Sequence, residues 1–334
     1  MTGTGSGGEV PVLLLIFNRP DLTRVVFESI RSAAPPALYV AGDGPRAGLA
    51  GETEKCEQAR SIATAVDWDC RVETLFRDDN LGAGQGVVAA LDWFFENEEA
   101  GIVLEDDCVP GPSFYRFCRE LLSYYEAEAR VMHVSGNNFQ YGRKRGRASY
   151  YFSKYTHSWG WATWRRAWRC FDFGLIPEGE RHHVWDAAWQ LSVERTGGLA
   201  VLPNANLVTN IGFGPEATHT LTTERFAHLP AEEIQFPLRH PASMVVDRKA
   251  DALTYYANFR NIRDLRMLRF YQIVDFCKLI PLRTRKLALK ARALRLLLAR
   301  ANFVELNECP ILPERSYWAR KLEVSGDAAL QLPE

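Results

Sequence analysis

Short apolar runs that alternate with helical patterns constrain the fold of this chain most strongly. Residues 12–17 form an unbroken apolar run, which is typical of a strand buried on both faces of a parallel sheet. The next segment places its apolar residues on one helical face, and further strands are predicted at 38–41, 72–76, 102–104 and 131–134. This order predicts an α/β fold in which helices flank a mostly parallel mixed sheet.

Length and composition indicate one large domain with an addition. The chain has 334 residues, of which 47% are hydrophobic and 24% are charged, as expected of a well-packed protein. We predict a disordered lead-in at residues 1–10 and a catalytic domain at 11–240. A mainly helical and basic carboxyl-terminal extension is expected at 241–334.

The formal net charge of −1 hides a basic segment near the carboxyl terminus. Residues 276–304 hold eight Lys or Arg and no Asp or Glu. The near-neutral total argues against nucleic-acid binding, whereas residues 278–300 could lie on an anionic membrane as a basic amphipathic helix. The alternative is that the apolar face of this segment packs on the domain or on a second subunit of a homodimer.

The expected location of the protein follows from its apolar and cysteine content. No stretch approaches the roughly 18 apolar residues of a membrane span, and the seven cysteines contain no C-x-x-C pair. Reduced thiols of this kind suit the cytoplasm. We therefore expect a cytoplasmic protein, with peripheral attachment to the inner face of the membrane as the alternative.

Polar residues follow the predicted strands at the point where each strand ends. In sheets of this class, ligands bind beyond the carboxyl ends of the strands. Arg19, Asp43 and Asn80 follow the first three strands, and three consecutive acids at 105–107 follow the fourth. Adjacent carboxylates repel one another unless a cation is near, and oxygen ligands favour Mg²⁺ or Mn²⁺. The alternative is a solvated acidic turn.

Other phosphate-binding motifs fit the sequence less well. There is no G-x-x-x-x-G-K-[ST] sequence, and Gly82, Gly84 and Gly86 follow a G-x-G-x-G spacing that differs from the dinucleotide-binding pattern. The sequence therefore favours a metal-assisted site over a glycine-rich phosphate loop.

Five motifs occur in the order seen in GT-A glycosyltransferases. They are Leu15-Ile16-Phe17-Asn18-Arg19, Asp43, Glu105-Asp106-Asp107, Ser135-Gly136-Asn137-Asn138 and Ser158-Trp159-Gly160-Trp161. Over residues 11–240 the chain resembles the inverting N-acetylglucosaminyltransferase I type and bacterial family-2-like relatives. The resemblance implies a GT-A (Rossmann-like) fold that binds a nucleotide-sugar donor, expected to be UDP-linked, and a glycan, lipid-linked or other hydroxyl acceptor.

The resemblance also implies roles for the residues at the strand ends. Arg19 would contact the nucleotide or its phosphates, and Asp43 would bind the uracil or ribose side, although Asp43 could also be a simple turn residue. Glu105 and Asp106 would contact the sugar or ribose, and Asp107 would be the direct ligand of Mn²⁺ or Mg²⁺.

Further residues would complete the donor pocket. Asn80 and Gly82 resemble a loop that lines it. Trp161, with its neighbours Trp159 and Trp164, could offer a flat face to a sugar, although we expect at least one of the three in the core. His219 could reach the metal or a phosphate, and a structural hydrogen-bonding role is the alternative.

Asp186 is the candidate base that takes the proton of the acceptor hydroxyl during inverting transfer. Its segment, Trp185-Asp186-Ala187-Ala188-Trp189, resembles a Trp-Asp-Asp-Trp segment of the family, but the spacing is longer by one residue and the second acid is missing. A helix-capping role is the alternative reading. Two other functions stay open, namely a nucleotidyltransferase and a catalytically inactive carbohydrate- or membrane-binding protein with the same fold.

Overall fold

A computed structural model describes residues 10–181, 184–213 and 229–255 of the chain. The chain divides into two compact units between Val246 and Asp247. The basic segment at 278–300 lies outside the described residues, as does most of the predicted lead-in. Within the described part, no helix is long and apolar enough to span a bilayer.

Ten strands and seven α-helices make up the described structure. The strands are β1 (Val12–Ile16), β2 (Ala37–Gly42), β3 (Arg71–Phe76), β4 (Ala100–Glu105), β5 (Cys108–Pro110), β6 (Val131–Ser135), β7 (Tyr150–Ser153), β8 (Trp161–Trp164), β9 (Leu199–Pro203) and β10 (Val208–Asn210). The helices are α1 (Pro20–Ala33), α2 (Glu52–Ala63), α3 (Gly82–Asn97), α4 (Pro112–Tyr124), α5 (Arg165–Trp168), α6 (Trp185–Arg195) and α7 (Arg248–Thr254). Short 3₁₀ helices occur at Phe173–Leu175 and Glu178–Glu180.

Eight of the strands form one mixed sheet in the order β3-β2-β1-β4-β8-β6-β9-β7. The first four strands are parallel, in the order found in the first half of doubly wound nucleotide-binding sheets. Strand β8 is antiparallel to both β4 and β6, β9 is parallel to β6, and β7 is antiparallel to β9. The predicted α/β class, with helices around a large mixed sheet, is confirmed.

The buried strand β1 explains why the first apolar run is unbroken. All five of its residues are buried, and alternate side chains enter two separate hydrophobic cores on opposite faces of the sheet. Leu14 packs with Val26 and Ile30 of α1 on one face, whereas Leu13 packs with Phe94 of α3 on the other. A polar residue at any β1 position would therefore face an apolar layer.

Strand directions place several chain segments on one edge of the sheet. Because β8 is antiparallel to both β4 and β6, strands β4 and β6 run in the same direction, and β9 follows β6. The carboxyl ends of β1, β2, β4, β6 and β9 therefore lie on a common edge. A separate two-stranded sheet pairs Asn210 with Cys108, which brings the end of β10 beside the acids that follow β4.

Candidate active site

A cavity of about 330 Å³ opens at the carboxyl ends of β1, β2 and β4 and at the start of α3. It brings together all the donor-binding residues predicted from the strand ends. Its lining includes Phe17, Arg19, Asp43, Arg46, Arg77, Asn80, Gly82, Glu105, Asp106, Asp107, Trp159, Asn210, Gly212 and Phe213.

Arg19 is held by two of the three consecutive acids. Its Nη1 donates to Asp107 Oδ2 at 2.9 Å, and its Nε and Nη2 donate to the carboxylate of Asp106. Desolvation opposes the charge of the guanidinium, but Asp106 and Asp107 together raise the pKa of Arg19. Arg19 is therefore charged at any physiological pH, and most of its charge is balanced inside the protein.

The three acids still carry more negative charge than Arg19 balances. Desolvation raises the pKa of Glu105 well above its ordinary value, and the charge of Asp107 raises it further. Desolvation also raises the pKa of Asp106 to about 6, although Arg19 opposes this shift. Burial and the neighbouring carboxylates both disfavour the charged forms of Glu105 and Asp106, and a bound cation would favour those charged forms.

The acidic cluster suits a divalent ion that takes only some of its ligands from the protein. The described residues contain no group of three or more His, Cys, Asp or Glu side chains arranged to hold a metal by themselves. Ions of the Mg²⁺ type commonly use only one or two carboxylates and take their other ligands from phosphates and water. The side chains at 105–107 suit that shared coordination better than a site made wholly of protein ligands.

The loop after β10 encloses Asp107, and it was not predicted from the sequence. The Ile211 N–H donates to the Asp107 carbonyl at 2.8 Å, and the Gly212 N–H donates to Asn210 Oδ1 at 2.8 Å. A Cβ atom on Gly212 would lie 2.1 Å from Asp107 Oδ2. Position 212 therefore has to be glycine for the carboxylate to keep this place, but a lone glycine in a sequence carries no such signal.

Asp43 lines the cavity, but its carboxylate is engaged by backbone amides. It accepts hydrogen bonds from Leu81 N at 3.0 Å and Gly82 N at 2.9 Å, and from Gly44 N at 3.1 Å. It thereby caps α3, whose own N-cap residue provides no side-chain acceptor. Asp43 therefore has the structural turn role that was the alternative in the sequence analysis. Its contact with uracil or ribose stays a prediction.

Asn80 and Gly82, which the resemblance assigns to the donor pocket, line the cavity. Asn80 Nδ2 donates to the Gly44 carbonyl at 2.8 Å, which ties the loop after β3 to the loop after β2. Gly82 adopts a positive φ of 80° at the start of α3, a conformation that glycine reaches without strain. Both residues shape the backbone of the pocket wall.

Glu52 organises another part of the wall, and sequence reasoning missed it. Its carboxylate is 5% exposed and accepts hydrogen bonds from Asn18 Nδ2 at 2.7 Å and from the Arg46 backbone N–H at 2.6 Å. The Arg46 side chain also pairs with it and lies over the Phe17 ring. Hydrogen bonding from Arg46 lowers the pKa of Glu52. Glu52 lies on a helix, whereas the sequence prediction rested on residues at strand ends.

Arg77 is the third arginine of the cavity and differs from the other two. Arg19 is paired with Asp106 and Asp107, and Arg46 is paired with Glu52. Arg77 makes no ion pair with any residue that the structure describes. Its charge is therefore available to an anionic ligand.

The prediction that Trp161 contacts the donor is corrected by its burial. Trp161 is 1% exposed and stacks between His133 and Trp185, and Trp164 is 3% exposed. Both belong to the core because β8 is an internal strand of the sheet. Trp159 instead lines the cavity and contacts the ring of Phe213 edge-on.

Asp186 lies in the first turn of α6. The N-cap position of that helix is Val184, and the Asp186 carboxylate accepts a hydrogen bond from the Ala187 N–H at 2.9 Å. The charge of Asp186 contributes to the raised pKa of Glu105, which places it within electrostatic reach of the acidic cluster. It is not among the residues that line the cavity. The predicted ligand His219 lies outside the described residues.

Among solved structures, the chain is weakly similar to several enzymes that bind nucleotides. No protein-family model matches this sequence, and no curated protein matches it. A UDP-glucose pyrophosphorylase complexed with UDP-glucose is 9% identical with a TM-score of 0.36, over 58% of this chain and 90% of that chain. A UTP-bound UGPase from Acinetobacter baumannii is 8% identical with a TM-score of 0.35, over 60% and 88%. An inositol-1-phosphate CTP transferase from T. maritima is 8% identical with a TM-score of 0.37, over 59% and 85%.

Proposed function

We propose that this chain is a metal-dependent glycosyltransferase that moves a sugar from a nucleoside diphosphate sugar to a hydroxyl acceptor with inversion. The observation that carries the proposal is the acidic cluster at the carboxyl edge of the sheet, where Asp107 is fixed between Arg19 and Gly212 beside a cavity. Nucleotide ligands of α/β sheets bind at this edge.

The charge balance of the cavity favours a diphosphate over a triphosphate. Of its three arginines, Arg19 and Arg46 are already paired with acids, which leaves Arg77 to meet an anionic ligand. One divalent ion and one free arginine suit a nucleoside diphosphate group. A nucleotidyltransferase has to neutralise a triphosphate, for which this cavity offers few cations.

Each of the three acids at 105–107 would have its own role. Asp107 would hold the metal, with the diphosphate as a further ligand, and Glu105 would contact sugar or ribose hydroxyls. Asp106 is 3% exposed and engaged by Arg19, so we assign it the positioning of Arg19. Bound Mn²⁺ or Mg²⁺ would stabilise the negative charge that develops on the departing diphosphate.

Asp186 would supply the base on the acceptor side. It takes the proton of the acceptor hydroxyl while the oxygen of that hydroxyl forms a bond to the anomeric carbon. The bond between that carbon and the diphosphate oxygen breaks on the opposite face, and its electron pair leaves with the nucleoside diphosphate. This step inverts the configuration of the anomeric carbon.

The proposal is tested by incubating the full chain with Mn²⁺ and a panel of nucleotide-sugars, UDP-linked donors among them. We expect release of free nucleoside diphosphate from at least one donor, by slow hydrolysis when no acceptor is present. Release of pyrophosphate from a nucleoside triphosphate and a sugar 1-phosphate would instead identify a nucleotidyltransferase. Metal-dependent binding of UDP without turnover of any donor would identify a binding protein.

A further inference from the structure

The charged residues in one long stretch of the chain are all positive. Residues 131–171 contain eight Lys or Arg and no Asp or Glu. Four of these cations fall between β6 and β7, namely Arg143, Lys144, Arg145 and Arg147. We call residues 142–147 the basic loop.

Strand order places the basic loop on the same edge of the sheet as the acidic cluster. The loop leaves the carboxyl end of β6, which runs in the same direction as β4. It returns into β7, which is antiparallel to β9 and therefore begins at that edge. Between β4 and β9 lie three strand spacings, or roughly 14 Å at about 4.8 Å each.

Hydrogen bonds hold the basic loop in one conformation. Gln140 is fully buried and accepts from the Arg145 guanidinium, with Nε at 2.8 Å from its Oε1. The Arg145 N–H donates to Asn204 Oδ1 at 2.7 Å, and Asn204 Nδ2 donates to the carbonyls of Arg145 and Ala148, each at 2.9 Å. Asn204 directly follows β9. Arg145 thus serves to fix the loop to the sheet edge.

The remaining cations of the loop point their charge to solvent. Arg143, Lys144 and Arg147 are exposed and form no ion pair with any described residue. Arg239 adds a fourth charge, because its carbonyl accepts from the Ser149 N–H at 2.8 Å and its side chain is exposed. Like charges on a fixed backbone repel one another, and an anionic partner would relieve that repulsion.

We propose that the basic loop binds the phosphate groups of the acceptor, so that the acceptor is a glycan carried on a lipid diphosphate. The inference rests on the glycosyltransferase function proposed above. Three of the four exposed cations are arginines, whose planar fork matches phosphate oxygens in pairs. With the diphosphate bound at the loop, a short glycan would extend across β8 and β6. Its terminal hydroxyl would then reach the donor beside Asp107.

The test compares vesicle binding by three forms of the full chain. One is the native chain, and one carries Arg143→Gln, Lys144→Gln and Arg147→Gln. The control carries Arg24→Gln, Lys55→Gln and Arg119→Gln, which remove the same charge from exposed sites elsewhere. The probes are phosphatidylcholine vesicles with a polyprenyl diphosphate and phosphatidylcholine vesicles with phosphatidylglycerol, at matched surface charge. A soluble short-chain prenyl diphosphate serves as competitor.

We expect the native and control chains to prefer the diphosphate vesicles, the competitor to displace them, and the loop variant to lose at least tenfold in affinity. Equal binding by the loop variant and the native chain would overturn the inference, as would equal losses in the loop and control variants. A preference for phosphatidylglycerol vesicles would overturn it too, since the loop would then contact the membrane surface. Donor hydrolysis without acceptor should be the same in all three forms. Its absence from the native chain would refute the glycosyltransferase proposal and leave the vesicle result to decide the diphosphate site alone.

Discussion

Single residues around Asp107 set the geometry of the candidate site. Gly212 is the clearest case, because a Cβ atom there would overlap the Asp107 carboxylate. Gly212→Ala should therefore push that carboxylate out of place and lower metal-dependent donor hydrolysis by about 100-fold, the usual effect of losing one electrostatic group at an active site. Steady-state nucleoside diphosphate release measures this.

Gly179→Ala is the matched control for that substitution. A Cβ atom on Gly179 would meet nothing within 4 Å, so this variant should keep full activity. Unchanged hydrolysis in Gly212→Ala, with the same melting temperature as the native chain, would show that Asp107 does not need its present position.

The second prediction at the scale of single residues concerns Asp186. Since it would act only on the acceptor proton, Asp186→Asn should lower kcat for transfer by about 10² to 10⁴-fold while donor affinity stays the same. Glu194→Gln, on the exposed side of the same helix, is the control. If Asp186→Asn keeps its kcat or weakens donor binding instead, another group is the base.

At this scale the sequence predicted that Arg19 and the acids at 105–107 meet at one edge of the sheet, because they stand directly after buried strands, and all four line the cavity. It could not identify Gly212 or Glu52, since each makes its contact at a distance along the chain, across more than a hundred residues in the first case and 34 residues in the second. Trp161 was misplaced for a related reason. Its sequence neighbours resemble those of Trp159, and only the position of β8 inside the sheet separates a core side chain from a cavity side chain.

At the scale of elements, α2 supports one wall of the cavity through one carboxylate. Glu52 links Asn18, at the end of β1, to Arg46, in the loop after β2. Glu52→Gln should weaken the contacts to Asn18 and Arg46 and leave buried N–H groups without a full acceptor. The expected loss in the free energy of unfolding is about 1–3 kcal/mol. The KM for the donor should rise with little change in kcat.

Glu54→Gln is the control for this element, because Glu54 is an exposed residue of the same helix. Urea unfolding and donor kinetics on both variants separate the effects on stability and binding. A fall in kcat at constant KM would mean that Glu52 acts on the chemistry rather than on the shape of the pocket.

The elements themselves were predictable to different degrees. Strands β1, β2 and β4 follow from apolar runs of the right length, because a strand buried on both faces has few polar residues to interrupt it. Strand β3 lies at the edge of the sheet and is partly exposed, so its sequence mixes apolar and polar residues. The insertion of β8 between β4 and β6 could not be predicted. Its antiparallel pairing joins segments about sixty residues apart along the chain, and no local pattern encodes that order.

At the scale of the whole molecule, two buried histidines make stability depend on pH. Desolvation lowers the pKa of His133 to about 3, and desolvation together with the nearby His133 lowers that of His157 to about 3. His133 is held neutral, since Trp189 Nε1 donates to its Nδ1 at 3.1 Å. As pH falls, both histidines become protonated at a much higher pH in the unfolded chain than in the folded one.

Stability should therefore be highest above the unfolded histidine pKa of about 6.5 and should fall as pH decreases from there toward 3. Each histidine contributes a slope of about 1.4 kcal/mol per pH unit once the unfolded chain is protonated. Urea midpoints at pH 7, 6 and 5 measure this. Equal midpoints at pH 7 and 5 would show that the buried histidines are protonated in the folded protein.

The central claim is that Asp107 binds a divalent ion together with the diphosphate of a nucleotide. Electron paramagnetic resonance of Mn²⁺ tests it directly, because free and bound Mn²⁺ give different signals. We predict that UDP strongly promotes Mn²⁺ binding by the native chain and by Asp79→Asn, an exposed acid on the same sheet edge, and that Asp107→Asn loses this binding. Equal Mn²⁺ binding by Asp107→Asn and the native chain, or binding that UDP does not promote, would contradict the claim.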